Sequence, residues 1–584
     1  MSEEEIRDTV DDASAPADGD ERDCPIVALG QRNGQFYFIA TSGEIRVFEP
    51  RHFTHMGIVS LFGGGTTWLW ANFPKMDREG QNVVGFMLNA VGAFLMRRAA
   101  SAGLWNEETP IRGPGVWRDD KKQPLAHCGD MLFVQQGDQP KWIAAGVYLG
   151  SAIYPAAPAI TRPGDIIAGG DAAQKLLGYI GLWKWKEPHA PRMALGWIGL
   201  AMLGAAPAWR VHFLVSGARG GGKSRLVGLL QRALGGWAYM TNNFSEAGLR
   251  SALTNQARAL LLDEAENTLG DNRVGKVIEL LRLMSGGEGA RGVRGTAEGG
   301  ARSFQVAAPA FLAAINAPQL EPQDRSRIFE AEIAKPDGKN VALLDEADAF
   351  AEKASPGLRA RALAGWQRFH DNFEVYRAEL LRSRPVKDKP GAEAPLCDVR
   401  QADQWASLLA AADMMLHDAS IDSDSAEAAV EALAAVLKSY VEEDVEEDDA
   451  RQCLATLMTT QIEHWRGGAK STIGRLVELG LEEGGRDERD ALRVYGLRLD
   501  FTSQDAPRLA VANRHEGLSA IFRNTRWRDG GWKRALLRLD KAFAAAKPVR
   551  FHGFLSRAIV IPAEHLPQPT KKPAPPPEPM PDEF

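Results

Sequence analysis

The chain has 584 residues, 45% of them hydrophobic and 25% charged, with a formal net charge of −7. This is ordinary globular composition, long enough for roughly three or four domains. The mildly acidic balance excludes a chain that is basic throughout, so any nucleic-acid surface has to be local. The four cysteines, Cys24, Cys128, Cys397 and Cys453, are widely spaced and form no C-x-x-C pair. That argues against a zinc site or a disulfide framework and fits a reducing cytoplasm.

Residues 1–23 carry ten acidic and two basic side chains and read as a disordered acidic tail. Residues 24–155 read as an α+β domain of unknown role. Strand-like runs at 25–29, 35–39 and 44–48 are separated by Asn33-Gly34 and Ser42-Gly43 turns, and 82–99 reads as a helix. Asp119-Asp120, followed by two lysines, reads as a solvated turn rather than a metal-dependent polymerase site. Residues 156–192 read as linker and helices. The uncharged run 193–209 is short for a membrane span, contains Pro207, and reads as a buried helix; no membrane association is expected.

The most informative stretch follows. An apolar strand from Val211 enters Gly217-Ala-Arg-Gly220-Gly221-Gly222-Lys223-Ser224, which matches G-x-x-x-x-G-K-[ST], and a helical period continues from Arg225. Glycines let backbone N–H groups turn inward around phosphate oxygens, and the new helix N-terminus adds positive potential. Lys223 is expected to reach the β- and γ-phosphates of ATP, and Ser224 to offer its hydroxyl to Mg²⁺. At 257–266 an apolar strand ends in Asp263-Glu264, the Walker B arrangement. There Asp263 would hold the Mg²⁺ shell and Glu264 would polarise the attacking water. A similar string at Asp345-Glu346 lies over a hundred residues from Lys223, inside helical sequence, and reads as an ordinary helix.

Beyond Walker B, 275–284 is helical. The glycine-rich segment 285–306 reads as a hairpin carrying Arg291, Arg294 and Arg302. Residues 310–316 read as a strand ending at Asn316, and Arg325-Ser-Arg327 closes the block. Residues 337–490 read as a helical region, with a Pro- and charge-rich loop at 382–391 and an acidic solvated run at 442–449. In 501–560 twelve Lys and Arg stand against four acids, with aromatics interleaved. Short helices at 517–522 and 532–545 and a closing hairpin at 549–561 read as a basic winged-helix-like module over 491–565, able to contact DNA backbone or an acidic partner surface. Residues 566–584 read as a disordered Pro-rich tail.

The order of these parts over residues 193–336 resembles the superfamily-three helicases of the AAA+ class, as found in phage, plasmid and viral primase–helicases. The resemblance covers about a quarter of the chain. It implies an α/β P-loop NTPase core, a parallel sheet flanked by helices, assembled as a homo-hexamer with ATP between subunits. Asn316 falls on the family's sensor position, and Arg325 or Arg327 on that of the arginine finger that reaches the neighbour's ATP. Segment 285–306 falls on the hairpin that grips DNA in the ring pore. These helicases usually carry a lysine near the hairpin tip, where this chain has arginines flanking glycines. The expected activity is an ATP-dependent DNA helicase or translocase in replication of a phage, prophage or plasmid. Its expected partners are a single strand or fork and a primase or other replication protein. The alternatives are an AAA+ regulatory or defence ATPase that remodels protein, which accounts equally for the Walker residues, and a monomeric nucleotide switch, which leaves Arg325 and Arg327 without a role.

Glu264→Gln keeps the shape of the side chain and removes the base. It is expected to bind ATP normally and to lose turnover, whereas Lys223→Ala weakens binding itself. Nucleotide titration beside a phosphate-release assay separates the two. Normal turnover in Glu264→Gln would return attention to Asp345-Glu346.

Overall fold

The computed structural model describes residues 23–136, 139–265, 273–287, 291–295, 301–318, 320–335, 341–385, 393–438, 449–463, 470–482, 484–501 and 507–567. Almost all of the two expected tails, the tip of the expected hairpin, most of the 382–391 loop and nearly all of the 442–449 acidic run lie outside those residues. The chain forms two compact units, Met1–Ala434 and Ala435–Phe584.

The first unit is built on a five-stranded parallel sheet. Its order across the sheet is Ala238–Thr241, Ala259–Leu262, Ala310–Ala314, His212–Ser216, Ile328–Glu332. Helices cover it, as continuous apolar strands require. Phe213, Phe311 and Leu261 are fully buried, and the rings of Phe213 and Phe311 stack at 4.9 Å. The run expected to be buried forms the helix Ala190–Leu203, with all but two of its residues buried. It packs along Val399–Leu416, where Arg192 of the first helix pairs with the buried Asp413 of the second at 2.6 Å. The helix Val341–Ala364 contains Asp345 and Glu346. Asp345 and Asp348 hold Arg225 at 2.5 and 2.8 Å, and Glu346 faces Lys175 and Tyr179. That string is therefore a helix face, as its apolar period implied.

Within residues 24–155 the three expected strands form an antiparallel sheet, Val27–Arg32, Gln35–Ile39 and Ile45–Phe48, with Asn33 and Gly34 both at positive φ in the first turn. The helix expected over 82–99 is corrected at its start. Val83–Phe86 is a strand paired with Pro74–Met76, and the helix runs Leu88–Ser101. The β-branched Val83-Val84 pair favours the pleated conformation. Asp119 folds back onto the N–H groups of Lys121 and Gln123, and Asp120 accepts from Ser151, so the acidic pair makes a turn. This region meets the core through main chain: Gly113 donates to the Asn255 carbonyl at 2.7 Å and Ala257 to that of Pro114 at 2.9 Å.

The second unit has a four-stranded antiparallel sheet ordered Leu497–Asp500, Arg508–Ala512, Ala558–Pro562, Phe543–Ala544. The helices Asp449–Thr459, Ile473–Leu481 and Arg486–Val494 share one apolar core with it, so this unit begins well before residue 491. The helix expected over 532–545 stops at Leu536. Lys541 adopts positive φ and Phe543–Ala544 joins the sheet edge. The expected closing hairpin is Val549–Phe551 with Phe554–Ser556, and Ala558–Pro562 leaves it for the main sheet.

His212, on the central strand, is fully buried. Its Nδ1 accepts from the Ala310 N–H at 3.0 Å, and its Nε2 lies 2.9 Å from the Leu281 carbonyl. Protonating Nδ1 would set two N–H groups against each other, and burial pushes the pKa down to about 3. The unfolded chain takes up a proton near pH 6.5 that the folded chain refuses. Stability is therefore fully present above pH 6.5 and falls toward pH 3, by up to about 1.4 kcal/mol per pH unit for this group. Urea midpoints measured between pH 7 and 4 should fall more steeply for the native chain than for His212→Gln; parallel slopes would refute the assignment.

Candidate nucleotide-binding site

The register of the parallel sheet decides which residues meet. Ser216 stands level with Ala314 on one side and Glu332 on the other, and Leu262 stands level with Leu312. The strand ends that deliver Gly217, Asp263 and Ile315-Asn316 therefore share one edge. The Asn316 strand lies between the two Walker strands, which opens a gap between Lys223 and the carboxylates.

The phosphate loop follows at that edge. Gly217 takes φ 150, and a Cβ there would sit 2.1 Å from the Ile333 carbonyl oxygen, so only glycine fits. Gly222, at φ 86, turns the chain into the helix Lys223–Leu234. Lys223 is buried, and its ammonium donates to the carbonyls of Gly217 at 2.6 Å and Ala218 at 3.0 Å across the loop. The Trp183 indole donates to the Gly222 carbonyl at 2.9 Å. Trp183 belongs to a strap alongside the sheet edge, where Ala334 donates to the Lys184 carbonyl and Lys186 to that of Glu332, both at 2.8 Å. No pattern in the sequence marks Trp183 as a neighbour of the loop.

Opposite, Asp263 donates from its N–H to the Thr241 carbonyl and Ala265 to that of Ala313, which carries the sheet bonding past Leu262. Between them Glu264 adopts φ 58 and donates its N–H to the Asp263 carboxylate at 3.0 Å. A left-handed conformation at a non-glycine residue costs on the order of 1 kcal/mol and clusters at functional sites. A cleft of about 390 Å³ joins the two sides, lined by Arg219 to Arg225, Asp263, Glu264, Ala313 and Ile315. Asn316 is exposed one residue beyond, at the rim, so the strand delivers Ile315 to the cleft itself. Arg219 is a lining cation that motif matching passed over, because it occupies a variable position of the loop.

The donor set suits a hydrated Mg²⁺ better than a caged metal. Ser224 and Asp263 are one hydroxyl and one carboxylate, and Mg²⁺ takes its remaining oxygens from phosphates and water. Among the described residues no cluster of three or more His, Cys, Asp or Glu is arranged to hold a metal.

The arginines lie elsewhere. His212 is level with Ile328, so Arg325 and Arg327 sit at the opposite edge of the sheet from the phosphate loop. Four residue steps at about 3.3 Å separate the His212 and Ser216 levels, roughly 13 Å before the loop begins. Arg327 lies over the Trp209 ring at 5.5 Å and donates to the Gln323 carbonyl, and burial lowers its pKa, with Arg400 adding repulsion. The Arg325 carbonyl accepts from Gln404 at 2.9 Å. The backbone of the expected hairpin is present: Arg291–Gly295 pairs with Ala301–Gln305, and Arg294 stands across from Arg302.

No protein-family model and no curated protein sequence matches the chain. Among solved structures, the chain is similar to one described as the active helicase SCCmec type IV Cch. The identity is 13% and the TM-score 0.46, covering 92% of this chain and 93% of that one. The C-terminal region of NrS-1 matches at 12% identity and TM-score 0.34, covering 92% and 96%. A full-length MCM homologue from Methanopyrus kandleri matches at 13% and 0.27, covering 56% and 76%. These are distant likenesses in sequence and shape. The α/β character of the core rests on its own parallel sheet and covering helices. Among the described residues no helix is long and apolar enough to cross a membrane.

The finger role expected of Arg325 or Arg327 would, from the far edge, require a second subunit's nucleotide. A variant lacking Arg325 and Arg327 and a second carrying Glu264→Gln should each be nearly inactive while still binding ATP. Mixing them should restore ATPase activity, because some junctions then combine an intact Glu264 with intact arginines. A finger of this kind is worth roughly 10³–10⁵ in rate in other phosphoryl-transfer enzymes. Mixed assemblies without rescue would exclude action between subunits.

Proposed function

We propose that the chain is an ATP-driven DNA helicase or translocase of superfamily-three type, serving the replication of a phage, prophage or plasmid in the cytoplasm. It works as a homo-hexameric ring, with a primase or other replication protein as partner. The observation that carries this reading is the separation of the site into two halves at opposite edges of one sheet. The phosphate loop and carboxylates occupy one edge, and the two expected finger arginines, Arg325 and Arg327, occupy the other. A self-contained NTPase has no use for that division, whereas a ring brings the two edges together at each junction.

In this reading Lys223 exchanges its two carbonyl bonds for phosphate oxygens, and the N–H groups of 220–224 cradle the same phosphates. Ser224 and Asp263 would hold Mg²⁺, which would supply charge neutralisation to the phosphates. Glu264 orients and deprotonates the attacking water, and Asn316 at the cleft rim contacts the γ-phosphate. The neighbour's Arg325 or Arg327 meets the charge that develops as the phosphoryl group departs. The paired strands bearing Arg291, Arg294 and Arg302 supply cations to the DNA backbone, and the basic module 491–565, read as winged-helix-like, adds a second backbone contact.

Single-stranded DNA should stimulate the ATPase of the purified chain. Alanine at Arg291, Arg294 and Arg302 should reduce that stimulation, and unwinding, more than basal turnover. Each lost phosphate contact should also flatten the salt dependence of binding by up to about one unit of slope. ATPase that ignores DNA would favour protein remodelling instead, and unchanged DNA binding in the triple variant would reduce 285–306 to a structural segment.

A further inference from the structure

Arg210 lies two residues before the central strand, is 2% exposed, and its side chain donates to backbone carbonyls. Its Nε donates to Met284 at 2.7 Å. One terminal nitrogen donates to Pro207 at 2.8 Å, and the other to Gly286 at 2.7 Å and Gly287 at 3.1 Å. Its own N–H donates to the Ser285 carbonyl at 3.0 Å. Residues 284–287 are the C-terminal end of the helix Arg273–Ser285 and the root of the paired strands that begin at Arg291. A helix C-terminus presents unsatisfied carbonyls and partial negative charge, which a cation neutralises. Burying a guanidinium is costly, and glycine or water would serve as a cap. What the arginine adds is a rigid fork that holds Met284, Gly286 and Gly287 and, with its own N–H on Ser285, fixes four consecutive residues to the start of the phosphate-loop strand.

The same helix is tied to the arginine element a second time. Arg282, in its last turn, forms a two-pronged pair with the buried Asp324, at 2.5 and 2.8 Å. Trp209, next to Arg210, bridges to Gly286 through its backbone and carries Arg327 over its ring at 5.5 Å. Arg327 in turn gives its carbonyl to the His212 N–H at 2.8 Å. Arg325, Arg327, the hairpin root and the first residue of the central strand are thus joined by charge-assisted hydrogen bonds, one ring contact and main-chain bonds.

We infer that Arg210 and the Arg282–Asp324 pair form a mechanical latch that makes ATP turnover responsive to DNA, by holding the finger arginines and the hairpin root as one body. This rests on the proposed helicase reading. DNA load on the hairpin moves residues 284–287, and the latch carries that displacement to the arginines facing the neighbour's nucleotide. Arg210, Arg282 and Asp324 are positioning residues: none lies at the cleft, and none belongs to the hairpin strands.

The test uses the full chain with Arg210→Lys, which keeps charge without the fork, and separately Arg282→Gln. Basal ATPase, ATP affinity and affinity for a single-stranded oligonucleotide are measured beside DNA-stimulated ATPase and thermal midpoint. Both variants should keep basal turnover and both affinities within about twofold of the native chain while DNA stimulation falls by at least about fivefold, the lower end of typical coupling between sites. Full stimulation in folded variants would overturn the latch. So would equal loss of basal and stimulated rates with a lowered midpoint, since that marks a merely structural role. Arg282→Gln with Asp324→Asn should lose no more than either alone. A native chain that DNA does not stimulate would instead remove the helicase reading, and the latch with it.

Discussion

The parallel register of His212–Ser216 between Ala310–Ala314 and Ile328–Glu332 is the constraint on which the rest depends. Parallel strands send all their C-terminal ends to one edge, so a single alignment gathers the phosphate loop, Asp263, Glu264 and Ile315-Asn316. The same alignment sends the N-terminal ends, with Arg210 and Arg325 to Arg327, to the other edge. Moving one strand by two residues would keep its side chains on the same faces and still pull a carboxylate some 7 Å along the sheet. The buried ring contacts among Phe213, Phe311 and Phe329 resist such a slip, which links the packing of the core directly to the chemistry at its rim.

Much of this was legible in the sequence because the signals are local. The loop needs glycines at positions where a Cβ would strike backbone, and Gly217 against Ile333 is the concrete case. The strand before Asp263, the Asn33-Gly34 turn and the buried helix at 190–203 likewise carry their patterns in short continuous stretches of chain. Where the reading failed, competing local preferences decided. Residues 82–99 hold enough apolar period for a helix, yet Val83–Phe86 pairs with Pro74–Met76 and the helix waits until Leu88. The run from Trp532 looks helical throughout, but Lys541 turns left-handed and Phe543–Ala544 pairs with Ala558–Pro562.

Other features have no local signal at all. Arg210 and Arg282 look like two of many arginines until their partners, about forty to eighty residues away, are in view. His212 reads as a polar interruption of an apolar strand, and the Ala310 and Leu281 main-chain groups with the Ser285 hydroxyl explain its burial. The separation of the arginines from the phosphate loop is likewise a property of strand order, which spacing along the chain does not encode. The lesson concerns kind of information: turn chemistry and periodicity announce elements, while polar groups buried by distant backbone are known only once the elements are assembled.

The strap that contacts the phosphate loop has a spectroscopic consequence. The Trp183 indole is anchored to the Gly222 carbonyl, at the point where the loop becomes a helix, and its ring is largely buried. Any rearrangement of the loop around an anion alters the local field and water access at that chromophore. The protein thus carries an optical probe of this glycine loop. Replacing Trp183 with phenylalanine would silence that channel within the emission of the fourteen remaining tryptophans, leaving a difference spectrum that isolates the loop.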